Sequence, residues 1–508
     1  TSSVVSEGAS KIFTLTLSES VDYPISINVF ADDAKSTVDP TDYSIVPSTV
    51  VIDANTTSAD FVVTIEVDVD AEVLGGDEFL SVRNDVSAIF SLDPAEITIN
   101  DWGATVTVAD SGASTVANGT AINGIDHVMV LSTVSGVNDD ASVSIYDRIG
   151  GGANFTADPA DSVIASVDGG DEVGTSIEAV KWSSYNDVVV TSTTTGNVEE
   201  ANSGARDIVV RLFRGGGVNS VHTNLWTVQL GSGGDDVSAG ATIDSSGNVY
   251  VYGSTAGTLE AGVPNKGGVD AFVSKYSNLG DFKWSKMIGT AGDDAATGIG
   301  FSLGRVHVAG ITTGSLESVN KGGKDGFIVS YDDNGEVIRQ VQFGTAFDDD
   351  VSSMVNIDDQ FILSAHSNGD LSGGGKAKNS VDAFSLNIDL QLNQDSAEVF
   401  GDDLLDDSLI GITGFNDVAV LAGSTLGVIE DQSSFGASDA ILTGVLVNSS
   451  KTEIEWYAQF GTAKDDASVD VSNNKGKVML LWQTDEGANT VYKLSPFDGN
   501  TGSPLVSP

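Results

Sequence analysis

Acidic residues come in pairs along most of this chain, each pair a fixed distance after a glycine. LGSGGDD ends in Asp235 and Asp236, IGTAGDD in Asp293 and Asp294, FGTAFDD in Asp348 and Asp349, and FGTAKDD in Asp465 and Asp466. FGDDLLDD, ending in Asp406 and Asp407, is the same unit with one residue inserted. Paired carboxylates at turns have two uses. Gathered round a narrow mouth, they can hold a calcium ion or accept hydrogen bonds from a polyhydroxylated sugar. Taken singly, each accepts backbone N–H groups and fixes a turn, which stitches one repeat to the next. Spacing alone leaves both uses open.

Other reactive side chains are few. Lys266, Lys321, Lys324, Lys376 and Lys378 fall in long connections that break the repeat. They are candidates to meet an acidic or sugar ligand, with loop solvation and charge balance as the alternative. His127, His222, His307 and His366 have no metal-binding spacing, and His127 and His307 sit where a strand would pack them. Trp226, Trp284 and Trp456 recur at one position per unit, which favours core packing over sugar stacking. No GxSxG, HExxH or phosphate-binding loop occurs, and no nucleophile–base constellation emerges. The chain therefore reads as a binding protein and not an enzyme.

The elements that position these residues repeat with them. The glycines at 231, 289, 344, 401 and 461 are 58, 55, 57 and 60 residues apart. After each acidic pair comes a second apolar burst, such as NVYVYGST or RVHVAGIT, and then a third opened by Asp, such as DAFVSKY or DGFIVSY. Four strands per unit at that period make a propeller blade. Weaker copies at about 127–168 and 168–230 bring the expected number to seven, with PLVSP at the C-terminus as a possible fourth strand of the last. In a blade whose strands run a to d outward, the d→a and b→c connections share one face. The acidic pairs and the long lysine-bearing loops therefore decorate that face, which makes it the expected ligand site.

The first 110 residues differ. Strand-length bursts such as IFTLTLS at 12–18, ISINVFA at 25–31 and FVVTIEV at 61–67 suggest about seven short strands and a β-sandwich. The expected fold is all-β, a sandwich over 1–110 followed by a seven-bladed propeller over 115–508. With 73 Asp and Glu against 23 Lys and Arg, the net charge of -50 argues against nucleic acid and anionic membrane surfaces as partners. The absence of cysteine excludes disulfides and thiolate chemistry. No apolar run is long enough to cross a membrane, and the abrupt start inside a strand-like pattern suggests a piece of a longer chain.

Two resemblances add to this reading. The region 231–475 resembles the SBBP-type bacterial propeller repeat, nearly intact in GSGGDDVSAGATIDSSGNVYVYGSTAGTLEAGVPNKGGVDAFVSKY. The N-terminal segments VSEGASKIFTLTLS, PTDYSIVPSTVVI, DVDAEVLGGDEFLSV and ITIND resemble a Calx-β domain. That resemblance implies calcium at one tip of the sandwich, held by Glu7, Asp42, Asp70 and Asp101 with Glu72 beside them. Leu74 stands where the family has a glutamate, which implies fewer ions. Together the modules resemble parts of the large calcium-dependent, RTX-type surface adhesins of Gram-negative bacteria, although the tandem RTX nonapeptide is absent. The resemblance implies an extracellular protein at the bacterial cell surface, joined to neighbouring domains of a longer chain. Its ligand would be a glycan or protein on a host or biofilm surface. The alternatives are a secreted polysaccharide-active propeller enzyme and a structural spacer.

Overall fold

Val, Ile and Thr alternate with small polar residues along most of the sequence, and such segments favour extended backbone with a buried face. The computed structural model is all-β. Before residue 115 it describes the strands alone, by their backbone. From 115 to 503 it describes most side chains as well, the longer exceptions being 123–127, 135–139, 147–162, 166–169, 181–186, 215–222, 373–379 and 401–404. The chain divides into two compact units, the second beginning at Val106.

The strands of the first unit pair into two sheets. One has the order Ser3–Ser6, Ala95–Asn100, Glu78–Asn84, Ile25–Ala31, Thr49–Ile52, and the other Ser10–Thr16, Ser58–Ile65, Tyr43–Val46. Segments 3–6 and 95–100 run parallel, and their neighbours in both sheets run antiparallel. The expected calcium ligands Glu7, Asp42, Asp70, Glu72 and Asp101 lie outside the described residues.

The second unit is a β-propeller of seven four-stranded blades among the described residues. Strand a of blades 1 to 7 is Thr115–Ile122, Glu172–Val180, Asp236–Ile243, Asp294–Ser302, Asp349–Ile357, Asp407–Phe415 and Asp466–Asn474. Each a strand packs beside the next around the axis. Within a blade the strands form an antiparallel meander, so the second Asp of each pair opens strand a, and Asp270, Asp325, Asp382 and Asp439 open strand c. The core lies between blades. Phe272, Phe327, Phe361 and Phe384 are fully buried there, each stabilising the fold by about 2–3 kcal/mol through lost apolar exposure.

Ring closure differs from the sequence expectation. The outermost strand of blade 7 is Val106–Asp110, which pairs antiparallel with Asn489–Asp498 through Val491↔Asp110, Tyr492↔Ala109, Lys493↔Thr107 and Leu494↔Val106. The boundary drawn at residue 110 is therefore too late, since VTVAD at Val106–Asp110 belongs to the propeller. The segment 504–508, expected as that strand, lies outside the described residues. The physical reason is closure itself. A strand from the start of the unit, laddered into its last blade, joins the two ends of the ring by backbone hydrogen bonds.

The repeated tryptophans pack against the core, Trp456 buried and Trp226 and Trp284 half-buried. Trp226 and Trp284 lie against Gly280 and Gly335, the left-handed glycines (φ +84 and +78) of the next blade's c→d hairpin. Their indole N–H groups donate to Asn278 and Asp333 carbonyls of the same hairpins at 3.2 and 3.1 Å. Trp456 repeats the contact onto the Gly499 carbonyl at 3.2 Å.

Candidate functional site

The acidic pairs hold the blades in register. The second carboxylate of each is buried at the head of strand a. Asp236 accepts from the Ser232 backbone N–H at 2.6 Å and from its Oγ, and Asp294 does the same with Thr290. Asp349 with Thr345 and Asp466 with Thr462 repeat the geometry. The first carboxylate reaches back to the preceding blade's b→c loop. Asp293 accepts the Val269 N–H and Asp348 the Lys324 N–H, both at 3.1 Å. Asp235 instead takes a two-pronged bond from Arg206.

A second buried carboxylate, at the head of strand c, lies beside the first. Asp270 and Asp325 accept from the backbone of Lys266 and Lys321, four residues earlier, at 2.9 and 3.0 Å. Between the two carboxylates runs the glycine that makes the repeat visible. A Cβ on Gly344 would stand 2.5 Å from Asp325 Oδ1 and 2.7 Å from Asp349 Oδ2, so no other residue fits there without displacing a buried charge.

The structure likewise gives the candidate lysines internal partners. Lys266 and Lys321 donate through Nζ to the Gly289 and Gly344 carbonyls, each at 3.1 Å, and Lys324 pairs with Asp350 at 2.8 Å. Lys376, Lys378 and His127 lie outside the described residues. His307 is buried, bonded through Nδ1 to Ser330 at 2.7 Å and packed on Phe361, and desolvation lowers its imidazole to about 4.

A different set of residues meets on the axis. All seven inner strands carry a β-bulge at the same point, for example between Gly174 and Ser176 and between Ser468 and Asp470. Just past the bulge stand Gly119, Ser176, Gly240, Gly298, Ser353, Gly411 and Asp470. Two residues further stand Ala121, Glu178, Thr242, Gly300, Val355, Thr413 and Ser472. Twelve of these fourteen are small or uncharged, and the two exceptions are carboxylates. The cavity that the seven strands enclose has a volume of about 480 Å³, and among the described residues no Lys, Arg or His lines it.

The acidic side of this cavity is organised. Asp470 Oδ2 accepts the Thr120 N–H of the adjoining blade at 2.8 Å, and its Oδ1 accepts the Val471 N–H at 2.8 Å. Glu178 accepts the Thr242 hydroxyl at 3.0 Å while its tip is open to the lumen. Tyr252 enters from strand b across Gly240, whose missing side chain makes room for the phenol: a Cβ there would be 2.5 Å from the Tyr252 hydroxyl. Sequence reading missed this set because the bulge shifts the alternation of strand a. Only with the bulges aligned do Glu178 and Asp470 stand out from their counterparts.

Desolvation raises Glu178 from 4.5 to about 7, with the charge of Asp470 adding to it and the Thr242 bond opposing. Desolvation likewise raises Asp470 from 3.8 to about 7. These folded-state values lie above the unfolded ones, so between roughly pH 4 and 7 the folded chain binds more protons and stability rises as pH falls. Burial raises Asp236, Asp270, Asp294 and Asp349 in the same direction. The propeller is expected to melt higher at pH 5.5 than at pH 7.5 in scanning calorimetry, by a margin that Glu178→Gln with Asp470→Asn reduces. A melting point that falls over that interval would contradict the assignment.

No family model matches the chain. A regulatory protein, FlaEY of Caulobacter vibrioides, is 33% identical over 109 residues, which are 20% of this chain and 11% of that protein. Among solved structures, a subtype N10 neuraminidase-like protein of A/little yellow-shouldered bat/Guatemala/060/2010 aligns over 78% of this chain and 99% of its own, with 9% identity and a TM-score of 0.33. A protein of unknown function from Dyadobacter fermentans aligns over 77% and 97%, at 8% identity and 0.39. The phage phi92 endosialidase aligns over 81% and 71%, at 10% and 0.36. At such values these likenesses carry no functional argument, and the class defined here is that of a seven-bladed propeller with an acidic axial cavity.

Proposed function

We propose that the chain is a non-catalytic, ligand-binding piece of a bacterial cell-surface adhesin, whose propeller takes a hydroxyl-rich group such as a glycan at the axial carboxylates. One observation supports this most. Past the bulges the lumen departs from uncharged side chains at two places, both carboxyl-bearing: Glu178, which accepts a hydroxyl, and Asp470, which accepts two backbone N–H groups. Carboxylates in a confined, cation-free space form strong charge-assisted bonds to sugar hydroxyls. The loop-rich face expected from sequence is a weaker candidate, because Asp235, Asp293, Asp348, Lys266, Lys321 and Lys324 bond within the protein. In the same reading, the N-terminal unit is a Calx-β-like sandwich that calcium stiffens by neutralising its acidic tip, and the whole acts outside the cell.

A glycan array probed with the wild type and with Glu178→Gln/Asp470→Asn tests the site. Binding by the wild type that drops at least tenfold in the double variant is expected, and equal binding by both would remove the axial site. A second reading, a polysaccharide-active enzyme, draws on the same two carboxyls, because groups held near neutrality suit acid–base work. Turnover of a bound glycan that Asp470→Asn alone abolishes would select that reading.

A further inference from the structure

The b→c loops of blades 2 and 4 are the same length and fold alike, and their differences point to a second site. TTTGNVEEANSGARD at 193–207 aligns without gaps on ITTGSLESVNKGGKD at 311–325. The internal bonds match as well. Gly204 N–H donates to Asn202 as Gly322 does to Asn320, and Gln229 bonds Asp207 as Gln342 bonds Asp325. Within this shared frame, Ser203 stands where blade 4 has Lys321, and Glu200 where it has Ser318. Blade 2 is thus more negative by two charges at one spot.

In blades 3 and 4 that lysine brings its ammonium group to the Gly289 or Gly344 carbonyl, beside the buried strand-c carboxylate. At blade 2 the equivalents are the Gly231 carbonyl and Asp207, and among the described residues no ammonium group meets them. Asp207 is 1% exposed, and its Oδ1 has no hydrogen-bond partner. The corresponding oxygens of Asp270 and Asp325 also lack a bond, but there a lysine of the same loop brings its positive charge to the adjoining glycine carbonyl. At Asp207 a cavity of about 480 Å³ opens instead, lined by Glu199, Glu200, Asp207 and Gly231 at one end and by Tyr276 and Phe282 at the other. The carboxylates suit a positive charge, and the aromatic end, where Phe282 is 55% exposed, suits an aliphatic chain leading to it.

We propose that the cleft between blades 2 and 3 binds a primary ammonium group on an aliphatic arm, seated where Lys266 and Lys321 seat their own in the next two blades. This chemistry is offered by a lysine side chain of a protein partner and by a free aliphatic amine, and the site is separate from the axial cavity.

The full chain would be titrated calorimetrically with three probes: a lysine-containing peptide, the same peptide acetylated on the lysine Nζ, and 1,5-diaminopentane. Binding of the unmodified peptide or the diamine, at least tenfold tighter than the acetylated peptide, is expected. Binding confined to the peptide identifies a protein partner, and binding of the diamine a small-molecule one. Ser203→Lys would restore the repeat's own ammonium group, so it is expected to raise the melting point and abolish binding of either probe. Glu199→Gln/Glu200→Gln, which leaves the core untouched, is expected to weaken binding several-fold. The proposal fails if acetylation makes no difference, or if Ser203→Lys leaves both affinity and melting point unchanged.

Discussion

A chain beginning at Val106 is expected to form a closed monomeric propeller, and one beginning at Ser111 an open ring that melts more than about 10 °C lower. The five residues between these starts are the whole outer strand of blade 7. Their removal takes away the ladder bonds of Val106–Asp110, each worth about 1 kcal/mol net, and leaves the strand Asn489–Asp498 as an unpaired edge. The larger loss is topological. Blades 1 and 7 would then meet only through side contacts of their inner strands, with no backbone ladder joining the ends of the ring. An exposed ten-residue edge also invites pairing between molecules. Calorimetry and size-exclusion chromatography on the two chains read both effects. Equal melting points would show that the ladder is dispensable.

A costly single substitution is expected at Gly344. Its Cβ point lies against two carboxylate oxygens of two different strands, both belonging to buried side chains. Gly344→Ala must therefore push a buried charge off its partners, and both overpacking and a broken buried hydrogen bond follow, for about 3–5 kcal/mol in all. At roughly 2 °C per kcal/mol for a unit of this size, the melting point should drop by about 6–10 °C. Gly233→Ala is the control, since nothing lies within 4 Å of its Cβ point and the loop is of the same kind. Similar losses at both positions would point to backbone freedom, and not the carboxylates, as the reason for glycine.

The propeller was legible because its repeated residues do repeated work. Glycine, hydroxyl and acidic pair recur together at four junctions because there each fills a place the others depend on, as Gly289, Thr290 and Asp294 show. The face on which the loops gather followed from connectivity. Two features were hidden for specific reasons. Val106–Asp110 carries none of the junction residues and follows directly on the N-terminal strands, so nothing in its sequence marks it as part of a ring whose other end is about 380 residues away. The axial carboxyls lie past a bulge, where plain alternation assigns side chains to the wrong face. Ser203, by contrast, was open to discovery once the loops of blades 2 and 4 were laid together, because a missing lysine is visible only against a repeat that has one.

The way the ring is tied also sets how it would yield under tension. In the pairing Val106↔Leu494 and Asp110↔Val491, the chain leading into the first strand and the chain leaving the second depart from the same end. A force drawn along the polypeptide through those two ends loads the hydrogen bonds one at a time, as in opening a zip, and not all together in shear. If this protein stands in a tether between a cell and a surface, the closing strand is its mechanical fuse. It would part at low load and release blade 7 before any other blade feels the strain.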